Sequence, residues 1–127
     1  MVAIAVVQWD NKVLIGRRPA HATLAGFWEF PGGKVQRGET PAEGAVRECV
    51  EETGIPIDIV RQLSTTNYDY EHGPVELHFF ECRPTLARHP QTPCHPFVWL
   101  DRQEVSQLKF PPANSEIVRT LHTVAEE

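Results

Sequence analysis

The stretch TPAEGAVRECVEETG, residues 40–54, carries both ends of a helix and two incompatible faces between them. Thr40 stands as N-cap, Pro41 takes the first helical position and Glu43 completes a capping box, so three local preferences open a helix at one place. Gly54 supplies the left-handed stop. The pattern predicts a helix over 41–53. At about 100° per residue, Ala45, Val46, Cys49 and Val50 gather on one side. Glu48, Glu51 and Glu52 gather roughly opposite, with Arg47 on their flank. The apolar side has to pack on another layer, and strand-forming runs on either side of the helix make that layer a sheet.

Those runs are readable one by one. Ala3–Trp9 and Val13–Arg18 are joined by Asp10-Asn11, a good hairpin turn. Residues 19–33 read as a loop with short extended pieces ending in Pro31-Gly32-Gly33. Ile57–Tyr70 and Val75–Arg83 are rich in strand formers, with His72-Gly73-Pro74 as the turn. Residues 84–96 form a loop with four prolines, and Phe97–Leu100 a short buried strand. Asp101–Glu104 repeats the capping-box pattern and opens a helical turn. After Pro111-Pro112-Ala113-Asn114-Ser115, the residues Ile117, Val118, Leu121, Val124 and Ala125 make the apolar stripe of a last helix. The result is an α+β fold, a mixed sheet with helices packed on it, in one domain over residues 1–127. The hydrophobic and charged fractions, 41% and 23%, suit a soluble globular chain with an adequate core.

A net charge of −5 excludes a global basic field for DNA or RNA, so an anionic ligand has to be met by local cations. Cys49, Cys82 and Cys94 show no C-x-x-C pairing or zinc spacing, and their odd number suggests reduced thiols in a cytoplasmic protein. The opening MVAIAVVQW lacks a basic flank and is too short for a signal peptide or a membrane span.

Like charges three and four residues apart on a helix repel by about 0.2–0.5 kcal/mol per exposed pair. A solvated acidic face tolerates that. Two details favour a bound group instead. No Lys or Arg three or four residues away on the same face is expected to relieve the glutamates. Gly44 also lies on the acidic face, where it costs about 1 kcal/mol relative to Ala and leaves room for something bound. Hard divalent cations want several carboxylate oxygens, so the cluster fits Mg²⁺, with Mn²⁺ as a substitute.

The segment from Gly33 through Glu39 and Arg47-Glu48-Cys49-Val50-Glu51-Glu52-Thr53-Gly54 to Ile55 resembles the Nudix box, with every fixed position met. FWEFPGGKV before it, Arg17-Arg18 and FPPAN at 110–114 are similar to the MutT-type branch of that family, which hydrolyses oxidised purine nucleoside triphosphates such as 8-oxo-dGTP to monophosphate and pyrophosphate. The resemblance implies a Nudix α/β/α sandwich with a mixed, curved central sheet. It implies a metal site of Glu48, Glu51, Glu52 and the Gly32 carbonyl, with Glu48 and Glu52 both candidates to orient or deprotonate the attacking water. Glu39 and Arg47 are expected to brace this cluster, Arg47 through its planar fork. Arg18 is the expected phosphate contact.

Asn114 can offer a donor and an acceptor to a purine edge or cap the last helix; Ser115 can take the cap, and the resemblance of FPPAN to the MutT type implies base recognition for Asn114. Tyr70 and Phe27 can wall a base.

Three positions depart from the MutT pattern. Pro93 stands where a glutamate is usual six residues before Trp99, with His95 nearby. Thr23 replaces a usual His, and Gly73 stands where an Arg can occur. The resemblance implies a small nucleoside triphosphate as partner, with no nucleic-acid polymer and no membrane expected. CTP or modified pyrimidine nucleotides are the alternative substrates, and a non-catalytic nucleotide-binding module the third reading.

Overall fold

The computed structural model describes residues 1–18, 26–70, 72–86 and 92–125, with side chains as far as Leu121. Among these, β1 (Val2–Trp9) turns through Asp10 and Asn11 into β2 (Lys12–Arg17). Both turn residues have positive φ, 49° and 60°, which the expected hairpin requires. Two short strands follow, β3 (Trp28–Glu29) and β4 (Gly32–Lys34), then helix α1 (Pro41–Thr53). A long hairpin of β5 (Ile57–Tyr70) and β6 (Gly73–Pro84) leads to β7 (Phe97–Asp101). Helix α2 (Arg102–Val105), a 3₁₀ turn at Pro112–Asn114 and helix α3 (Ser115–Ala125) complete the order.

β1 organises the sheet. One of its edges pairs in parallel with β6, from Val2↔Leu77 to Val7↔Cys82. Its other edge is shared, antiparallel, by β4 along Val2–Ile4 and by β2 at Gln8 and Trp9. β2 goes on to pair with β7 and β3. The sheet is therefore mixed, in the order β3-β2-β1-β6-β5, with β4 and β7 attached beside it.

Alternation along β1 sends its residues to two apolar layers. Ala3, Ala5 and Val7 pack with Ala45 and Cys49 of α1, Ile57 and Phe80. Val6, flanked by the partly buried Val2 and Ile4, packs with Phe30, Leu77, Phe79, Ile117 and Leu121. Helices on both faces of a mixed sheet make the expected α+β sandwich.

Three local expectations are corrected. The β5–β6 pairing already begins at Tyr70↔Gly73, so Gly73 and Pro74 belong to the strand. Asp101 makes no side-chain cap, and α2 is a single turn. The Ser115 hydroxyl donates back to the Pro112 carbonyl oxygen, 2.8 Å, so α3 grows straight out of the 3₁₀ turn without the expected cap. The side chains of Val124 and Ala125 lie outside the described residues.

Candidate active site

The start of α1 is pinned by a reciprocal cap. The Glu43 backbone N–H donates to Thr40 Oγ1 at 3.1 Å, and the Thr40 N–H to Glu43 Oε1 at 2.8 Å. Gly54 closes the helix in the left-handed region, its N–H donating to the Val50 carbonyl. With both ends held, the acidic face has one orientation. It looks toward Gly32 and Gly33 of β4.

Glu52 Oε1 accepts from the Gly32 N–H at 2.8 Å. The Glu48 carboxylate lies so close to Gly33 that a Cβ there would come within 2.6 Å of it. Glycine at 33 is thus a matter of space for Glu48. Burial above all, with Glu29, Glu48 and Glu51 adding to it and the Gly32 N–H opposing, pushes the Glu52 carboxyl up to about 7.

Arg47 ties the rest together. Its Nε and Nη2 donate to both oxygens of Glu39, at 3.0 and 2.7 Å. Nη1 donates to Glu48 Oε1 at 2.8 Å and to Glu51 Oε2 at 3.0 Å, and Nη2 also reaches the Lys34 carbonyl. Glu39 and then Glu48 hold the guanidinium firmly protonated, and the Arg47 hydrogen bond lowers the Glu39 carboxyl. This corrects the expectation that no cation relieves the acidic face. Arg47 stands four residues before Glu51, and its long stem carries the fork across to it. Gly44 is corrected too. It is buried, and a Cβ there would stand 3.0 Å from Glu39 Oε1, so the missing side chain makes room for Glu39 rather than for a ligand.

Beside this cluster lies a cavity of about 280 Å³ bordered by Gly32 and Gly33. Val2 and Ile4 of β1 and Leu77 of β6 give it apolar walls, and Arg18, Glu29, Tyr70 and Asn114 bring polar groups to it. Carboxylates and this hollow therefore share the Gly32–Gly33 strand.

The sequence matches the NUDIX domain family over residues 2–120. The chain is a MutT-like Nudix hydrolase. It is 30% identical over 121 residues to the 8-oxo-dGTP diphosphatase of Escherichia coli K12, covering 94% of each chain. It is 31% identical over 116 residues to the CTP pyrophosphohydrolase of the same organism, covering 89% of this chain and 84% of that one. The solution structure of a MutT Nudix-family protein from methicillin-resistant Staphylococcus aureus 252 superposes with a TM-score of 0.71 at 32% identity, covering 97% and 95% of the two chains.

For this MutT-like Nudix hydrolase the expected residues separate clearly. Glu39, Arg47, Glu48 and Glu51 form one bonded network, and Glu52 joins Gly32. Arg18, Tyr70 and Asn114 border the cavity. Arg18 Nη1 also donates to Glu29 Oε2 at 2.9 Å. Asn114 is only 8% exposed, and its side-chain amide makes no hydrogen bond with a described residue. Phe27 does not border the cavity; Lys109 Nζ sits 4.4 Å above its ring instead. His95, near the Pro93 position, is not among the residues that border the cavity and lines a second hollow with Arg17, Arg18 and Pro96. Thr23 lies outside the described residues.

Sequence reasoning missed Glu29, Phe30 and His72, which also border the cavity. It missed Val2 and Ile4 as well, although their alternation with Ala3 and Ala5 was a usable signal.

Nudix hydrolases use divalent metals, usually Mg²⁺, and the donor chemistry here fits one. The donors are hard carboxylate oxygens, two of them drawn onto the same Gly-Gly backbone, and Glu52 is raised by burial and by neighbouring negative charge that a cation offsets. Among the described residues no three such groups stand close enough to form a ready-made metal cage. Glu48 and Glu51 are engaged by Arg47.

Proposed function

We propose that this Nudix hydrolase converts 8-oxo-dGTP, and oxidised purine nucleoside triphosphates generally, to the monophosphate and pyrophosphate with Mg²⁺ bound by Glu48, Glu51, Glu52 and Gly32. The observation that carries the reading is Asn114, a buried amide without a partner among the described residues, bordering the cavity that runs to Gly32 and Gly33.

Oxidation at C8 puts an N–H at N7 beside the O6 acceptor. One Asn amide complements that pair, its NH₂ toward O6 and its C=O toward N7–H. Unoxidised guanine presents a lone pair at N7, which leaves the Asn C=O facing an acceptor. A site built to make a hydrogen bond rejects the analogue that cannot make it.

The remaining residues take roles from their geometry. Tyr70 and the apolar floor of Val2, Ile4 and Leu77 hold the base. Arg18 meets the phosphates, exchanging its contact with Glu29 for a phosphate oxygen. When bound, the cation neutralises phosphate charge and supplies an activated water. Glu52, held beside the Gly32 N–H, is suited to take a proton from the attacking water, and Glu48 is the second candidate. Arg47, anchored on Glu39, sets the angle at which Glu48 faces Gly33. Among the described residues no helix is long and apolar enough to cross a membrane, and the proposed site of action is the cytoplasmic nucleotide pool, where oxidised precursors are removed before they enter DNA.

A pyrimidine reading has one observation in its favour, the similarity to the E. coli CTP pyrophosphohydrolase, as high as that to the 8-oxo-dGTP diphosphatase. A panel of nucleoside triphosphates with Mg²⁺, scored for pyrophosphate against orthophosphate, separates the two. The highest kcat/KM is expected for 8-oxo-dGTP, with pyrophosphate as product. A lead for CTP supports the pyrimidine reading, and release of orthophosphate refutes the assigned bond cleavage.

A further inference from the structure

We propose that Glu29 is a positioning residue that competes with the bound phosphate for Arg18 and thereby speeds release of the monophosphate product. The inference rests on the reading of Arg18 as the phosphate contact. It adds a residue that the acidic cluster and the Asn114 argument leave unused.

Strand register brings the two side chains together. β2 and β3 pair antiparallel at Gly16↔Glu29 and Arg17↔Trp28, and the Arg18 N–H continues the ladder to the Phe27 carbonyl at 2.8 Å. Glu29 lies two residues beyond Phe27, so Arg18 and Glu29 are diagonal neighbours on one face, a spacing that long side chains bridge. Arg18 Nη1 donates to Glu29 Oε2 at 2.9 Å, and both residues border the cavity beside Gly32 and Gly33. Among the described residues, Glu29 bonds no other side chain.

Folding gains little from this pair. Its side chains are 30% and 28% exposed, and a partly solvated ion pair contributes little to stability. Binding is opposed by it. A carboxylate bordering a hollow that receives phosphates repels them, and Glu52 is close enough to feel the Glu29 charge. A phosphate oxygen that takes Nη1 displaces Glu29 Oε2. What weakens the bound state also shortens its lifetime, because affinity differences within one site fall mostly in the dissociation rate. As the phosphate withdraws, Glu29 retakes Arg18. The penalty is the same for every base. Glu29 therefore sets how long a phosphate stays and leaves the choice of base to Asn114.

The test measures the Kd and dissociation rate of 8-oxo-dGMP and CMP, and the Kd of their phosphate-free nucleosides. It compares wild type, Glu29→Gln and Glu29→Ala, each alone and combined with Arg18→Ala, with Mg²⁺ and in EDTA. Both Glu29 variants are expected to bind the monophosphate about two- to fivefold more tightly, the scale of one partly exposed ion pair. Dissociation is expected to slow by the same factor, and product inhibition of triphosphate hydrolysis to strengthen with it. Nucleoside binding is expected to stay unchanged. In the Arg18→Ala background the gain is expected to vanish, since Glu29 has nothing left to reclaim. A gain that persists there is direct repulsion and overturns the proposal. Unchanged or weaker monophosphate binding in the Glu29 variants, a change seen only with Mg²⁺, or equal tightening of nucleoside and monophosphate also overturns it. An Arg18→Ala variant that binds the monophosphate as well as wild type removes Arg18 from the phosphates, and the proposal with it. A wild type that prefers CMP to 8-oxo-dGMP overturns the 8-oxo substrate reading instead, and the Glu29 contrast is then read on CMP against cytidine.

Discussion

Glu52→Gln should make the metal-free protein more stable and the Mg²⁺-loaded protein a far poorer hydrolase. The wild-type carboxyl is pushed from 4.5 up to about 7, first by burial and then by Glu29, Glu48 and Glu51. The folded state therefore holds this proton over a range of pH in which the unfolded chain has released it. Where the folded state binds more protons, stability falls as pH rises. The stability is fully present below the unfolded value and is lost progressively between the two values, so the penalty is complete above the folded one.

The displacement corresponds to about 3 kcal/mol at 1.36 kcal/mol per unit. Glu52 is only partly buried, and solvent screening reduces this to about 1–2 kcal/mol. Glutamine keeps the acceptor for the Gly32 N–H and removes the charge. Urea melts in EDTA should show the variant more stable than wild type by about 1–2 kcal/mol at about pH 8, and equal to it as pH falls toward about 4. In a thermal scan that is a gain of about 3–8 °C. Hydrolysis with Mg²⁺ should fall more than tenfold, a barrier increase above about 1.4 kcal/mol. A variant less stable than wild type at high pH, or a gain that persists unchanged into acid, would refute the argument that Glu52 is held protonated by its surroundings. A variant that keeps more than about a tenth of wild-type kcat would remove Glu52 from the chemistry.

Other perturbations test other contacts. Mg²⁺ should raise the melting temperature of wild type, by up to about 2.7 kcal/mol of stabilisation at one hundred times its Kd, and Glu51→Gln combined with Glu52→Gln should suppress the rise; an equal response places the metal elsewhere. Gly33→Ala should push the Glu48 carboxylate aside, lowering kcat by more than about tenfold while urea melts change little, because what yields is the end of a flexible side chain. Asn114→Ala should reduce kcat/KM for 8-oxo-dGTP more than for dGTP, by about 1–3 kcal/mol of selectivity; a parallel fall in both reduces Asn114 to a structural residue.

How much of this was legible in the sequence depended on how local the cause was. Helix α1 was readable to the residue because Thr40, Pro41, Glu43 and Gly54 act on their own neighbours. The Asp10-Asn11 turn was readable for the same reason, since those residues tolerate positive φ. The joint use of one edge of β1 by β2 and β4 was not, because β4 is only Gly32-Gly33-Lys34, whose composition reads as loop. Arg47 shows the limit within a single helix. Its backbone position was known, but its bonds to Glu39, Lys34, Glu48 and Glu51 depend on where a long stem turns and on a loop folding back. Phe27 failed for a related reason. An aromatic residue just before a short strand has no periodicity to say which way it faces, and this one went to Lys109.

The alternation along β1 has a consequence for how such a protein can change over time. Ala3 and Ala5 face the helix that carries the glutamates, whereas Val2 and Ile4 border the cavity on the other side. Substitutions at 2 and 4 can reshape what is admitted without disturbing the packing under α1. Substitutions at 3 and 5 would move the acidic helix and leave the admitted shape alone. One short strand thus keeps the choice of molecule and the reaction performed on it as separately adjustable traits, joined only where Gly32 and Gly33 pair with its first residues. Val2 is the freer position for exploring new substrates, since Ile4 lies directly against the Gly32 that holds Glu52.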